Sequence, residues 1–188
     1  MNQMTIVWLI IIVIIVVIII AVISAFNGLV KAQNSVEEAF STMDVYMKKR
    51  FDLIPNLVET VKGYAAHESE TLERIVSARN QIGGASTQES RMEGENRLSG
   101  ALKNLFAVAE SYPDLKANAN FVDLQKQLRL CEEDIANSRK YYNAVVKDYN
   151  NQVMVFPKNI IANMFHFTKK TMYEVSAAEE RETVEVKF

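Results

Sequence analysis

Asp52, Asn56, Glu59 and Lys62 stand at helical spacing around Pro55. Sharing one helix face, they could receive a polar ligand or partner beside a kink. The same residues could serve the backbone instead. Pro55 lacks a donor and disturbs the preceding turn, and Asp52 or Asn56 can cap what it frees. His67, Glu68 and Glu70 raise the question of a metal. His67 and Glu68 are adjacent, however, and point about 100° apart on a helix, so they do not converge on an ion. His166 has no acidic neighbour close in sequence. Cys131 is the single cysteine and falls on an apolar stripe, which predicts a buried thiol and not a nucleophile activated by histidine. Gly83-Gly84 sits between helical segments without the lysine of a phosphate loop. Asn143, Asn150 and Asn151 accompany Tyr142 and Tyr149 and are expected to bond across a bundle or set its register. These residues predict no metal site, no cofactor and no catalytic constellation, and hence a non-enzymatic protein.

The elements that must carry these residues divide sharply. All 21 basic and 23 acidic side chains follow residue 30, although 49% of the 188 residues are hydrophobic. Ile6–Ile23 is an unbroken apolar run of 18 residues, mostly Ile and Val. As a helix it measures roughly 27 Å, close to the hydrocarbon thickness of a bilayer. A cleaved signal peptide is disfavoured because residues 1–5 carry no basic side chain and the run is long. Lys31, Lys48, Lys49 and Arg50 follow the run, so the positive-inside rule places the N-terminus outside and the rest in the cytoplasm. The lone Cys131 suits that reducing compartment. Ala21, Ser24, Ala25 and Gly28 could let spans pack closely, or merely mark the exit of the chain. Lys48-Lys49-Arg50 resembles a lipid-binding patch, yet a straight helix puts Arg50 roughly 39 Å beyond Ser24, out of range of headgroup attraction. It reads as a solvated face or protein docking site. A net charge of −2 argues against a nucleic-acid partner.

Beyond residue 30 the apolar positions step by three and four. One stripe runs Val36, Phe40, Met43, Met47, Phe51, Ile54, Val58, Val61, Ala65, Leu72, Ile75, Arg79. Pro55 predicts a kink or break in it, and Ser69 a new helix start. Ser86 to Glu89 reads as a capping box, followed by Leu98, Leu102, Leu105, Ala109 and Tyr112 up to Pro113. Asn120 to Asp123 can open a last long helix. Its stripe is Phe121, Leu124, Leu128, Cys131, Ile135, Ser138, Tyr142, Val145, Tyr149, Val153 and Phe156, stopped by Pro157. Residues 158–167 form a short amphipathic segment that packs on the bundle end or touches lipid headgroups. The tail from Glu174 is acidic, and only Thr183–Phe188 alternates like a strand. The expected fold is all-α: an N-terminal transmembrane helix followed by an antiparallel bundle of three or four long helices with shallow, coiled-coil-like crossings. The expected divisions are 1–5 external, 6–25 spanning, 26–167 bundle and 168–188 tail.

Three blocks carry a resemblance. Residues 52–68 read DLIPNLVETVKGYAAHE after MDVYMKKRF, residues 112–121 read YPDLKANANF, and residues 142–157 read YNAVVKDYNNQVMVFP. With one N-terminal span, this resembles the LemA family of bacterial membrane proteins over about residues 26–188. The motif residues are Asp52, Pro55, Asn56, Glu59, Lys62, Gly63, Tyr64, His67, Glu68, Tyr112, Pro113, Asp114, Asn120, Asn143, Asn150 and Pro157. The resemblance implies a single-pass protein of the inner membrane with a cytoplasmic helical bundle, and it implies no defined activity. This chain departs from the pattern at Phe40, where tryptophan is common, at Gln33, where arginine is frequent, and at His166, where glycine often precedes the aromatic. The functional expectation is a scaffold in contact with the lipid bilayer that self-assembles as a homo-oligomer or binds an unknown membrane-associated protein. The alternative is a ligand- or signal-sensing module working through the segment around Pro55.

Overall fold

The computed structural model describes residues 3–65 and 67–173, and every regular element among them is a helix. In chain order these are α1 (Gln3–Lys62), α2 (Ser69–Gly83), α3 (Gln88–Ala109), α4 (Pro113–Ala117), α5 (Ala119–Met154) and α6 (Lys158–Met164). The apolar run is not a separate element. It is the first part of α1, which is 60 residues long. The chain forms two compact units. The first holds α1 up to Ser41 and residues 141–172, and the second holds residues 42–140 with Tyr173. The acidic tail from Glu174 and the alternating Thr183–Phe188 lie outside the described residues.

Of the kink or break expected at Pro55, the break does not occur, since α1 continues to Lys62. The compensation comes from another helix and not from Asp52 or Asn56. A proline at 55 leaves the Phe51 carbonyl without its helical donor. Arg79 of α2 donates from Nε to that oxygen at 3.4 Å, and its guanidinium lies 4.1 Å from the centre of the Phe51 ring. Arg79→Met is therefore expected to cost about 1–3 kcal/mol in denaturant unfolding, through an orphaned carbonyl and a lost cation–π contact.

Three starts shift by a residue or two. Ser69 is the first helical residue of α2 and not its cap, which is Glu68 without a side-chain bond. Thr87, not Ser86, caps α3, accepting from the Ser90 N–H at 3.1 Å. Asn118 opens α5 by accepting from the Phe121 N–H at 3.0 Å, two residues before Asn120. Pro113 occupies the first turn of α4, where its missing donor costs nothing.

In the second unit, Ile54, Leu57 and Val61 of α1 share a buried core with Ile75 and Ile82 of α2, Leu98, Leu102 and Leu105 of α3, and Phe121 and Leu128 of α5. Burial of such side chains stabilises by about 1.5–3 kcal/mol each. Gly94 lets α3 lie close on α2, since a Cβ there would stand 2.9 Å from Ile82 Cγ1.

In the first unit, Leu29, Val36 and Ala39 of α1, Tyr142, Val146, Tyr149 and Val153 of α5, and Ile161 and Ala162 of α6 are buried. The stripe thus passes through Val146 and not Val145. Phe156 is 74% exposed, because α5 ends at Met154 and the periodicity ends with it. The turn after α6 holds His166 in a left-handed conformation. His166 has φ 60°, the Phe167 N–H donates to the Ala162 carbonyl at 2.9 Å, and the His166 N–H to the Asn163 carbonyl at 3.4 Å. This is a Schellman ending, whose left-handed position favours glycine. His166→Gly is expected to stabilise the protein by roughly 1 kcal/mol, read as a higher unfolding midpoint.

Candidate functional site

The polar face around Pro55 is a solvated, ion-paired surface. Lys48 Nζ lies 2.6 Å from both Asp52 oxygens, and Lys62 Nζ lies 3.1 Å from Glu59 Oε1. Asp52, Asn56, Glu59 and Lys62 are all exposed. Such pairs are worth about 0–1 kcal/mol. A groove of about 660 Å³ runs beside Lys62, lined by Val58, Leu72, Val76 and Asn80. Asp52 and Asn56 are not part of its lining.

The first two sequence blocks meet in a clasp within the second unit. Tyr112 donates to Glu68 Oε1 at 2.8 Å, and Asn118 Nδ2 donates to the Tyr64 hydroxyl at 2.9 Å. Gly63 and Tyr64 form the turn that ends α1, so the clasp closes the connection from α1 to α2 against α4. The bond to Glu68 holds the Tyr112 phenol above its ordinary pKa. His67, Asp114 and Asn120 are exposed beside it, and Glu70 pairs with Arg74 at 2.6 Å. Among the described residues no three His, Cys, Asp or Glu side chains group to hold a metal ion.

Of the Lys48-Lys49-Arg50 cluster expected to be a solvated face or docking site, Lys48 and Lys49 are exposed, but Arg50 turns inward and forms the charged centre of the second unit. Arg50 is fully buried and forms ion pairs with Glu95 of α3 and Glu132 of α5. Its Nη1 also donates to Ser99 Oγ at 2.6 Å, and its Nη2 to the Glu95 carbonyl at 3.2 Å. Ser99 Oγ in turn donates to Glu132 Oε2 at 3.0 Å. One arginine fork therefore ties α1, α3 and α5 together. Desolvation opposes the charge on Arg50, but the two carboxylates more than offset it and raise its pKa. Burial pushes the Glu95 carboxyl up against the pull of Arg50. Its Oε1 has no hydrogen-bond partner. Cys131 is buried, and desolvation raises its thiol above the ordinary value, the opposite of an activated nucleophile.

Tyr173 closes this unit, donating to the Met92 carbonyl at 3.2 Å. Burial, with a contribution from Glu95, pushes its phenol up to about 12. The folded protein prefers the neutral phenol, so this stabilisation is full below about pH 10 and lost as pH rises through the folded value. Roughly 2–3 kcal/mol of stability should disappear across that window. Tyr173→Phe should remove the dependence in alkaline denaturation.

In the first unit the third block grips the segment 168–171. Tyr142 donates to the Thr171 carbonyl and Tyr149 to the Thr168 carbonyl, each at 2.9 Å. Asn150 donates from Nδ2 to the Lys170 carbonyl and accepts the Lys170 N–H on Oδ1, both at 2.9 Å. Of the residues expected to bond across a bundle or set its register, Tyr142, Tyr149 and Asn150 bond to residues 168–171. Asn143 is half-buried on the same helix, and Pro157 leads into α6. Of the small residues at the end of the apolar run, Ala21 and Ser24 are exposed and Ala25 is half-buried. Gly28 faces Lys158 of the same chain, whose Nζ would stand 3.7 Å from a Cβ there. The apolar part of α1 is long enough to cross a membrane. Its most apolar 18-residue window has a mean hydropathy of 3.9, and none of it is buried.

The LemA family model matches residues 39–188. Protein LemA of Metamycoplasma hominis is 23% identical over 154 residues, covering 81% of this chain and 70% of the relative. Magnetosome protein MamQ 2 of Paramagnetospirillum magneticum is 24% identical over 179 residues, covering 81% of this chain and 66% of the relative. Magnetosome protein MamQ of Magnetospirillum gryphiswaldense is 23% identical over 170 residues, covering 77% and 62%. The chain spans about two thirds of the length of these relatives.

Proposed function

Because the chain belongs to the LemA family, we propose that it is a non-enzymatic, membrane-anchored helical scaffold. In this reading Ile6–Ile23 spans the bacterial inner membrane with the N-terminus outside. The remainder forms an antiparallel bundle in the cytoplasm that presents a surface for self-assembly or for a partner protein. The observation that carries it is the bare apolar window of α1, since hydrocarbon is the environment in which such a surface is stable. The order of charges supports the orientation, with Lys31 the first charged residue after the run. The Arg50 cluster supports a structural body, because its charges are spent on each other, with Arg50 and Glu95 buried.

Crosslinking in native membranes, followed by capture from gentle detergent, tests this. Recovery of defined oligomers or of one reproducible partner is expected. A strictly monomeric protein that captures nothing would overturn it. The ligand-sensing alternative is favoured by the groove beside Lys62 and not by Asp52 and Asn56. A compound whose thermal stabilisation vanishes on Val76→Trp, but survives Asp52→Ala, would promote it.

A further inference from the structure

We infer that the corner between α5 and α6 is a second membrane contact, in which residues 154–165 enter the headgroup layer beside the emerging end of the apolar helix. The inference rests on Ile6–Ile23 being a span. Met154, Val155, Phe156, Ile160, Met164 and Phe165 are 46–74% exposed, six large apolar side chains within one corner. Exposed patches of this kind mark contact surfaces. The other face of α6 is committed elsewhere, since Ile161 and Ala162 are buried within the unit.

The level of this corner follows from its contacts with α1. Phe26 lies three residues past Ile23, about 4.5 Å along the helix. A headgroup layer is about 5–7 Å thick on each side, so Phe26 stands inside it. The ring of Phe165 is 4.7 Å from that of Phe26, and the ring of Phe167 is 5.8 Å away. At the other end of α6, Lys158 reaches Gly28, about 7.5 Å past Ile23. The Phe165 end of α6 therefore stands at headgroup level and the Lys158 amine at the outer edge of that layer, with Ile160 and Met164 exposed and free to turn toward the acyl boundary as interfacial helices do.

Charge selects lipid as the occupant. Residues 149–173 contain Lys158, Lys169 and Lys170 and no acidic residue. Such a segment complements anionic headgroups, and the lysine stems can keep their amines among the phosphates. A second copy docked symmetrically on the same patch would face the same unneutralised lysines.

The test uses the full chain in phosphatidylcholine–phosphatidylglycerol vesicles whose acyl chains are brominated to quench indole. Trp8, the single native tryptophan, reports on the span. In a Trp8→Phe background, Ile160→Trp reports on the corner, Phe156→Trp repeats the reading if the first variant fails to fold, and Val45→Trp serves as the exposed control. Trp8 and the Ile160→Trp indole should each lose most of their emission, while the Val45→Trp indole keeps it. Quenching at the corner should weaken when phosphatidylglycerol is omitted. Quenching of Trp8 alone would overturn the second contact and leave the span standing. An unquenched Trp8 would overturn both. A blue-shifted but unquenched Ile160→Trp indole that follows protein density would mean that a second copy covers the patch, and would also overturn the inference.

Discussion

Arg50→Met is expected to destabilise the helical body by about 3–5 kcal/mol, because it leaves Glu95 and Glu132 facing each other without their shared cation. Denaturant unfolding of the detergent-solubilised chain, followed by circular dichroism, reads this directly. Arg50→Lys should fall between the two, since an ammonium keeps the charge but cannot bridge two carboxylates and Ser99 as a planar fork does. The triple variant Arg50→Met, Glu95→Met, Glu132→Gln should recover most of the loss, because the desolvation of the charges goes with them. If Arg50→Met is silent, the cluster does not hold the three helices together. A pH dependence accompanies it. The Glu95 carboxyl is raised by burial, so its contribution is full below the unfolded value of about 4.3 and lost as pH rises through the folded value. Glu95→Gln should flatten that slope.

The second large effect concerns the anchor. Ile14→Arg together with Val17→Arg should abolish stable insertion. Each arginine near the centre of a span costs about 2.5–3.5 kcal/mol, and the pair cancels much of the gain of about 0.3–0.6 kcal/mol per apolar residue. Alkaline extraction of membranes separates the outcomes. The double variant should appear in the soluble or aggregated fraction, whereas Ile14→Leu should stay with the membrane pellet. A double variant that resists extraction would show that the apolar part of α1 is not what fixes the protein in lipid. Alkaline washing strips peripheral contacts, so the α5–α6 corner alone does not mask the result.

Local patterning made the helices legible. Runs such as Phe121, Leu124, Leu128, Cys131 and Ile135 repeat with the period of a helix, and all five are buried. Proline placement was harder to read. Pro113 and Pro157 separate helices, while Pro55 sits inside one. The difference lies in Arg79, 28 residues beyond Phe51, which supplies the missing donor to the Phe51 carbonyl. The sequence sets Arg50 on a solvated face for a related reason. Phe51 satisfies the three-and-four stepping as well as Arg50 does, and a charged side chain reads as surface by default. The one available sign was its spacing from Met47 and Ile54, which are buried on the same face.

What this chain determined by itself are the terms set by neighbours three or four residues apart: an uncharged apolar segment that suits hydrocarbon, helical stripes, and the family to which residues 39–188 belong. Tertiary structure alone decided where polar groups found partners. Tyr112 meets Glu68, Asn150 meets Lys170, and Arg50 meets Glu95 and Glu132, across separations of 20 to 82 residues. The physical reason is that a helix satisfies its own backbone with local bonds. A buried side-chain donor or acceptor must take whichever partner packing brings within about 3 Å, and no periodicity records that choice.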